Sequence, residues 1–160
     1  MNRKFLVLAV IAICLTGLIL GSCSSTPKFS AAMGKDWKLI DVQISGDPFS
    51  RRIRYDRDKL KAEGIDDIFI LKFNSTSLNG VGARNTYSAP YTIGENLSIE
   101  VQDLNISTYE PIVRPEKLQE QEYFVYVKNI AKWTINKEKK LVLTSKAEDG
   151  NTVRLTFTLK

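Results

Sequence analysis

The chain has 160 residues, 26% of them charged, with 23 lysines and arginines against 18 acidic residues and a formal net charge of +5. So mild an excess is no nucleic-acid footprint, and the complete absence of histidine removes imidazole acid–base catalysis and imidazole metal ligation together. Only 2 cysteines are present, too few for a disulfide-dense scaffold.

Arg3 and Lys4 make a short basic opening, residues 5–20 are almost wholly apolar, and Leu20-Gly-Ser-Cys23 follows directly. Basic, apolar, then small is the order of a secretory signal. The last four residues resemble the lipobox of bacterial lipoproteins, in which the cysteine carries lipid and becomes the new N-terminus. Residues 1–22 are thus expected to be a lipoprotein signal peptide, with lipidation at Cys23 and the membrane as first partner through that lipid. An uncleaved anchor is the competing reading, since the apolar run falls just short of a full span. Cys14 lies in the discarded segment, so the mature domain has neither thiol nor disulfide, and losing Arg3 and Lys4 lowers its net charge to +3.

Residues 23–35 read as a lipidated flexible tether of Ser, Thr, Pro, Ala and Gly. Residues 37–44 alternate as a first strand, ended at Gly46-Asp-Pro48. Residues 47–67 form a charged insertion in which Arg51, Arg52, Arg54 and Arg57 crowd around Tyr55, and residues 56–63 could form a short helix. As a solvated loop it follows the usual exposure of charge runs; as a dock it would take anionic headgroups or an acidic partner. Asp56, Asp58, Asp66 and Asp67 lack the spacing of a calcium loop.

Residues 68–73 are a dense apolar strand. The next stretch, residues 79–93, mixes Gly80, Gly82, Asn79, Asn85 and Pro90 with Val81, Tyr87, Tyr91 and Ile93. Glycine takes positive φ or admits a close neighbour, asparagine braces a corner, and proline marks an edge or bulge, so this is a bent strand pair. A hairpin turn at residues 94–96 leads to a strand over 97–101. Pro115 and Glu116 open a helix predicted over 116–131, with Glu120, Phe124, Val127 and Ala131 in one stripe widened by Tyr123 and Ile130. Short strands follow at 133–135, 141–143 and 153–159. Strands, one helix, then strands define a mainly β (α+β) fold: a small antiparallel, cracked or half-closed β-barrel with one helix packed across it.

The mature chain holds no thiol nucleophile and no glycine-rich phosphate loop; Gly80 and Gly82 lack the third glycine and following helix of a dinucleotide fingerprint. The reading is non-enzymatic, without cofactor or metal. Tyr87, Tyr91 and Arg84 either project from the barrel mouth toward a ligand, or the two tyrosines cap the core and Arg84 is solvated.

Trp37-Lys-Leu39, the Phe69–Phe73 strand, the Gly/Asn corner ending in Tyr91, the helix residues Glu120, Tyr123, Phe124 and Val127, and the strands at Trp133 and Leu141 resemble the META domain of HslJ-like bacterial lipoproteins. The resemblance spans residues 36–160. Ala83-Arg84-Asn85 stands where the common form carries Gly-Cys-Asn, and the second cysteine before the helix is also missing; this is similar to the variant of spirochaete and related lipoproteins. It implies a membrane-anchored envelope lipoprotein, in the outer membrane or at the cell surface rather than the inner membrane. Its role would be binding, assembly or stress response, with an envelope protein or lipid as partner, and a purely structural role is the alternative. By likeness to pilot lipoproteins it also implies a groove for an acyl chain or partner peptide, walled by Phe69, Leu71, Phe73, Phe124, Val127 and Trp133 with Tyr87 and Tyr91 at its rim.

Overall fold

The computed structural model describes residues 28–46, 50–107 and 117–159. The expected signal peptide, Cys23, and the helix opening at Pro115 and Glu116 lie outside them. Among the described residues, strands β1 (Trp37–Ser45), β2 (Ser50–Arg54), β3 (Ile70–Phe73), β4 (Ser77–Val81), β5 (Thr86–Ile93), β6 (Ile99–Val101), β7 (Asn105–Ile106), β8 (Lys132–Ile135), β9 (Leu141–Lys146) and β10 (Thr152–Leu159) form one sheet. Its order is β6-β5-β4-β3-β1-β10-β9-β8, with β2 added to β1 and β7 to β5, and its ladders are antiparallel. The helices are α1 (Arg57–Ala62) and α2 (Glu120–Lys128), preceded by a 3₁₀ turn at Phe29–Ala31. The mainly β expectation with one principal helix holds.

The sheet is not closed into a barrel. Its end strands β6 and β8 meet only at a bridge between Ser98 and Lys132. Two backbone hydrogen bonds flank it, from Ile99 N–H to the Ala131 carbonyl (3.1 Å) and from Trp133 N–H to the Leu97 carbonyl (3.0 Å).

Strand alternation builds the core. In β10, Val153, Leu155 and Phe157 are fully buried while Thr152 and Arg154 face water. In β1 the inward set changes phase, from Trp37 and Leu39 to Val42, because the pairing with β10 shifts register between Leu39 and Asp41. One extra residue in a strand moves every later side chain to the other face.

That bulge sits at a fork. One edge of β1 pairs with β10 throughout, while its other edge pairs with β3 at Trp37 and Lys38 and then with β2 from Asp41 to Ser45. Carbonyls at the fork turn to Arg57, whose Nε and Nη2 donate to the Leu39 carbonyl (2.9 and 2.6 Å) and whose Nη1 donates to that of Ile68 (3.1 Å). Asp66 balances the charge, 3.5 Å from Arg57 Nη1. Most of residues 50–67 are exposed, as a charged run is expected to be, but the segment is anchored to the fold through strand β2, helix α1 and Arg57. Ile53, Tyr55 and Leu60 are buried, and Asp56 caps α1 by accepting from the N–H groups of Asp58 and Lys59 (both 3.1 Å).

The tether expectation is corrected from Lys28 onward. The Phe29 ring meets those of Trp133, Phe73 and Tyr91 at 4.8, 5.0 and 5.6 Å. Gly34 N–H donates to the Phe73 carbonyl (2.8 Å), and Trp37 Nε1 to that of Ala32 (2.8 Å). A lone aromatic among small residues has enough apolar area to order the segment carrying it.

Helix α2 is shorter than the predicted 116–131. Gln119 has extended backbone (φ −70°, ψ 143°), so the first turn begins at Glu120. Residues 117–119 are a turn and bend, and Ala131 has left the helix to hydrogen-bond with Thr144 and Ile99.

Candidate functional site

The predicted groove residues come together, but as packed core. Phe69, Leu71, Phe73 and Val127 are fully buried, and Phe124, Trp133 and Tyr87 nearly so. Ring contacts run through the space between α2 and the sheet, with Phe69–Tyr123 at 4.8 Å, Tyr87–Phe124 at 5.6 Å and Tyr87–Tyr123 at 5.9 Å. The stripe that sequence assigns to groove walls is occupied by its own neighbours, the ordinary result of close packing. Phe73, Tyr91 and Trp133 do gather around one apolar occupant, Phe29 of the same chain.

Tyr87 is buried, which corrects its expected place at the rim, whereas Tyr91 is half-buried and caps the core beside Phe29 and Phe73. Tyr87 Oη donates to the Ile70 carbonyl (3.1 Å) and lies 2.9 Å from Tyr123 Oη. Since Tyr87 spends its one hydrogen on Ile70, Tyr123 is the donor between them. Gly80 makes this possible: a Cβ there would stand 2.1 Å from the Ile70 oxygen and 2.3 Å from Tyr87 Oη. Tyr91 Oη donates to the Asn74 carbonyl (2.6 Å). Pro90, which has no N–H, lies opposite the break between β6 and β7 and accepts from Gln102 N–H (3.0 Å).

Burial raises the pKa of Tyr87 and Tyr123 well above the ordinary phenol value. In the unfolded chain they ionise near pH 10, while in the fold they keep their protons. Above about pH 10 the unfolded state therefore binds fewer protons, and stability falls as pH rises. Urea titrations between pH 8 and 11.5 should show this decline, reduced in Tyr87→Phe; identical slopes for variant and parent would refute the assignment.

Glycine at 82 has a second purpose that sequence alone did not disclose. The corner from Gly82 to Asn85 wraps the carboxylate of Glu120, only 7% exposed at the start of α2. Glu120 Oε1 accepts from the N–H groups of Arg84 and Asn85 (both 2.7 Å), and Oε2 accepts from Asn85 Nδ2 (2.6 Å). A Cβ on Gly82 would lie 2.5 Å from Oε1 and 2.8 Å from the Phe124 ring. Arg84 contributes its backbone here, and the carboxylate fixes the helix to the corner.

One of several open concavities on the described surface was not indicated by the sequence. About 510 Å³ in volume, it lies beside α2, floored by Ile44, Val125, Tyr126 and Ala147 and rimmed by Arg51, Glu122, Glu148 and Asp149. Tyr126 Oη donates to Glu122, Arg51 Nη1 approaches the same carboxylate (3.3 Å), and Arg51 Nη2 donates to the Lys117 carbonyl. Burial and the Glu122 carboxylate raise the pKa of Tyr126. Such a site offers an apolar floor and a polar rim, the makings of a binding surface; it presents no activated nucleophile. The volume is in the range of small-molecule sites, and its parts come from α2, the ends of β1 and β2 and the β9–β10 turn, which no spacing in sequence brings together. Elsewhere, Arg52 is held by Asp41 in a two-point pair (2.7 and 3.0 Å), so the Arg-rich segment is partly neutralised. Among the described residues no cluster of three or more potential ligands could hold a metal, and no helix is long and apolar enough to cross a membrane.

No known family profile matches the chain, and no characterised protein matches it in sequence. In structure it is similar to a protein from Burkholderia xenovorans solved by NMR, with a TM-score of 0.55 and 13% identity over 87% of this chain and 96% of that one. At that identity the likeness is one of fold.

Proposed function

We propose that the chain is a non-enzymatic lipoprotein of the bacterial cell envelope, of META type, serving as a binding or assembly module. The observation that carries this reading is the N-terminal order of basic residues, apolar run and Leu20-Gly-Ser-Cys23, joined by a short connection to a β-rich domain. Anchoring is through lipid on Cys23, and no nucleic acid or cofactor enters. The concavity beside α2, with its apolar floor and polar rim, is where a bound partner would sit. A pilot-like use of the space beneath α2 would require an acyl chain or peptide to displace packed rings.

Expression in a bacterial host with an alkyne palmitate analogue tests the anchor. The parent should incorporate label and appear as a processed form, whereas Cys23→Ala should remain unlabelled and unprocessed. Normal labelling of Cys23→Ala would refute it.

A further inference from the structure

The distance from the anchor to the fold limits how the domain can stand on a membrane. Phe29 is clamped between Phe73, Tyr91 and Trp133, so only residues 24–28 separate Cys23 from the packed chain. Fully extended, five residues reach roughly 17 Å, while an eight-residue strand such as β10 is about 26 Å long. The end of the domain that Phe29 seals must stay near the lipid.

Several exposed groups collect at that end. Trp37 pairs with Leu159, which is 44% exposed, and Ile93 at the end of β5 is 40% exposed. Leu141 pairs with Phe157, so the 136–140 turn leaves the sheet beside Leu159. Lys72 pairs with Asp36 (3.4 Å) and Lys140 with Glu138 (2.6 Å). Once these cancel, exposed Lys28, Lys35, Lys137 and Lys139 outnumber Glu95 of the β5–β6 turn and Glu100 opposite Thr92, an excess of positive charge. Basic side chains and isolated apolar groups at a lipid-proximal surface are complementary to anionic headgroups over an acyl boundary.

Resting on the lipid-anchor reading above, we infer that the Phe29 end of the domain docks on the anionic membrane surface through Lys28, Lys35, Lys137 and Lys139. The opposite end carries Arg51, opposite Ile44 near the close of β1, and the concavity beside α2. That end faces away from the bilayer, toward a partner. The Arg-rich segment is then no headgroup dock.

The test uses the full lipidated protein in vesicles containing nitroxide-headgroup lipid, with and without phosphatidylglycerol. Single cysteines are introduced as Ile93→Cys or Glu148→Cys, both exposed positions, and labelled with a fluorophore. The 93 label should be quenched several-fold more than the 148 label, and neutralising the four lysines or omitting phosphatidylglycerol should shrink that ratio. Equal quenching, or stronger quenching at 148, in protein that floats with the vesicles overturns the orientation while leaving the anchor intact. A ratio indifferent to phosphatidylglycerol and to the lysines overturns the anionic docking. Protein that does not float refutes the anchor, and this inference with it.

Discussion

Glu120→Ala should destabilise the domain by about 3–5 kcal/mol, the range for removing one partner from a buried charged network. The Arg84 and Asn85 N–H groups and Asn85 Nδ2 all direct hydrogens at this carboxylate, and a methyl group would leave them facing a void. Against a total of roughly 5–15 kcal/mol for an ordinary domain the loss is large, equivalent to a fall of roughly 10–15 °C in Tm. Glu120→Gln separates hydrogen bonding from size. Its remaining oxygen still accepts from both backbone groups, but its amide meets Asn85 Nδ2 donor to donor. Turning the Asn85 amide over would relieve that clash at the expense of the Ser107 Oγ–Asn85 Oδ1 contact (3.4 Å). The expected loss is about 1–3 kcal/mol. Urea denaturation followed by near-ultraviolet circular dichroism, which reports the Tyr87–Tyr123–Phe124 packing, measures both. An alanine variant within 1 kcal/mol of the parent would show that the corner does not hold the helix.

Arg57→Leu is expected to cost a similar amount, about 3–5 kcal/mol, for a different reason. The substitution keeps apolar bulk but leaves the Leu39 and Ile68 carbonyls without their guanidinium donor, and removes one of the two cations of Asp66, which keeps Lys38. Burial pulls the Arg57 pKa down and Asp66 pushes it back up, the pattern of a charge held inside by its partners. Arg57→Lys retains charge but has no planar fork to serve two carbonyls together, so it should recover only part of the loss. Arg52→Leu is the control. Its guanidinium side chain is half exposed beside Asp41, and solvent screens such a pair, so the midpoint should barely move. Equal denaturation midpoints for the two leucine variants would refute the fork assignment.

The contrast between these arginines marks where sequence stops being legible. Arg51, Arg52, Arg54 and Arg57 look alike as a charge run, and exposure is the expected state for each. Only the forked pairing of β1 with β3 and β2 decides that Arg57 goes inside. The alternation in β10 and the turn at residues 94–96 were readable because their signals are local. Gly80 and Gly82 were readable as points of close approach, but what approaches, the Tyr87 hydroxyl and the Glu120 carboxylate, depends on pairing and on a helix nearly forty residues later. The apolar stripe of α2 was legible too. A stripe lining an empty groove and a stripe filling a core have the same composition, and only packing distinguishes them. Phe29 was missed because one aromatic among serines, alanines and a proline carries no periodicity, although its ring contacts order that stretch. The concavity beside α2 left no sequence signal at all.

The pairing of Leu159 with Trp37 has a practical side. The first and last strands start and finish at one pole, so a fluorescent protein or affinity peptide joined after β10 would emerge beside the proposed anchor. If that pole rests on lipid, the fusion is wedged under the domain and tilts it, and a reporter meant to be passive becomes a spacer. The turn at Glu148–Gly150 is exposed and lies between β9 and β10 at the other pole. On the inferred orientation an epitope inserted there would stay clear of the bilayer, but it would stand on the rim of the concavity beside α2 and obstruct it.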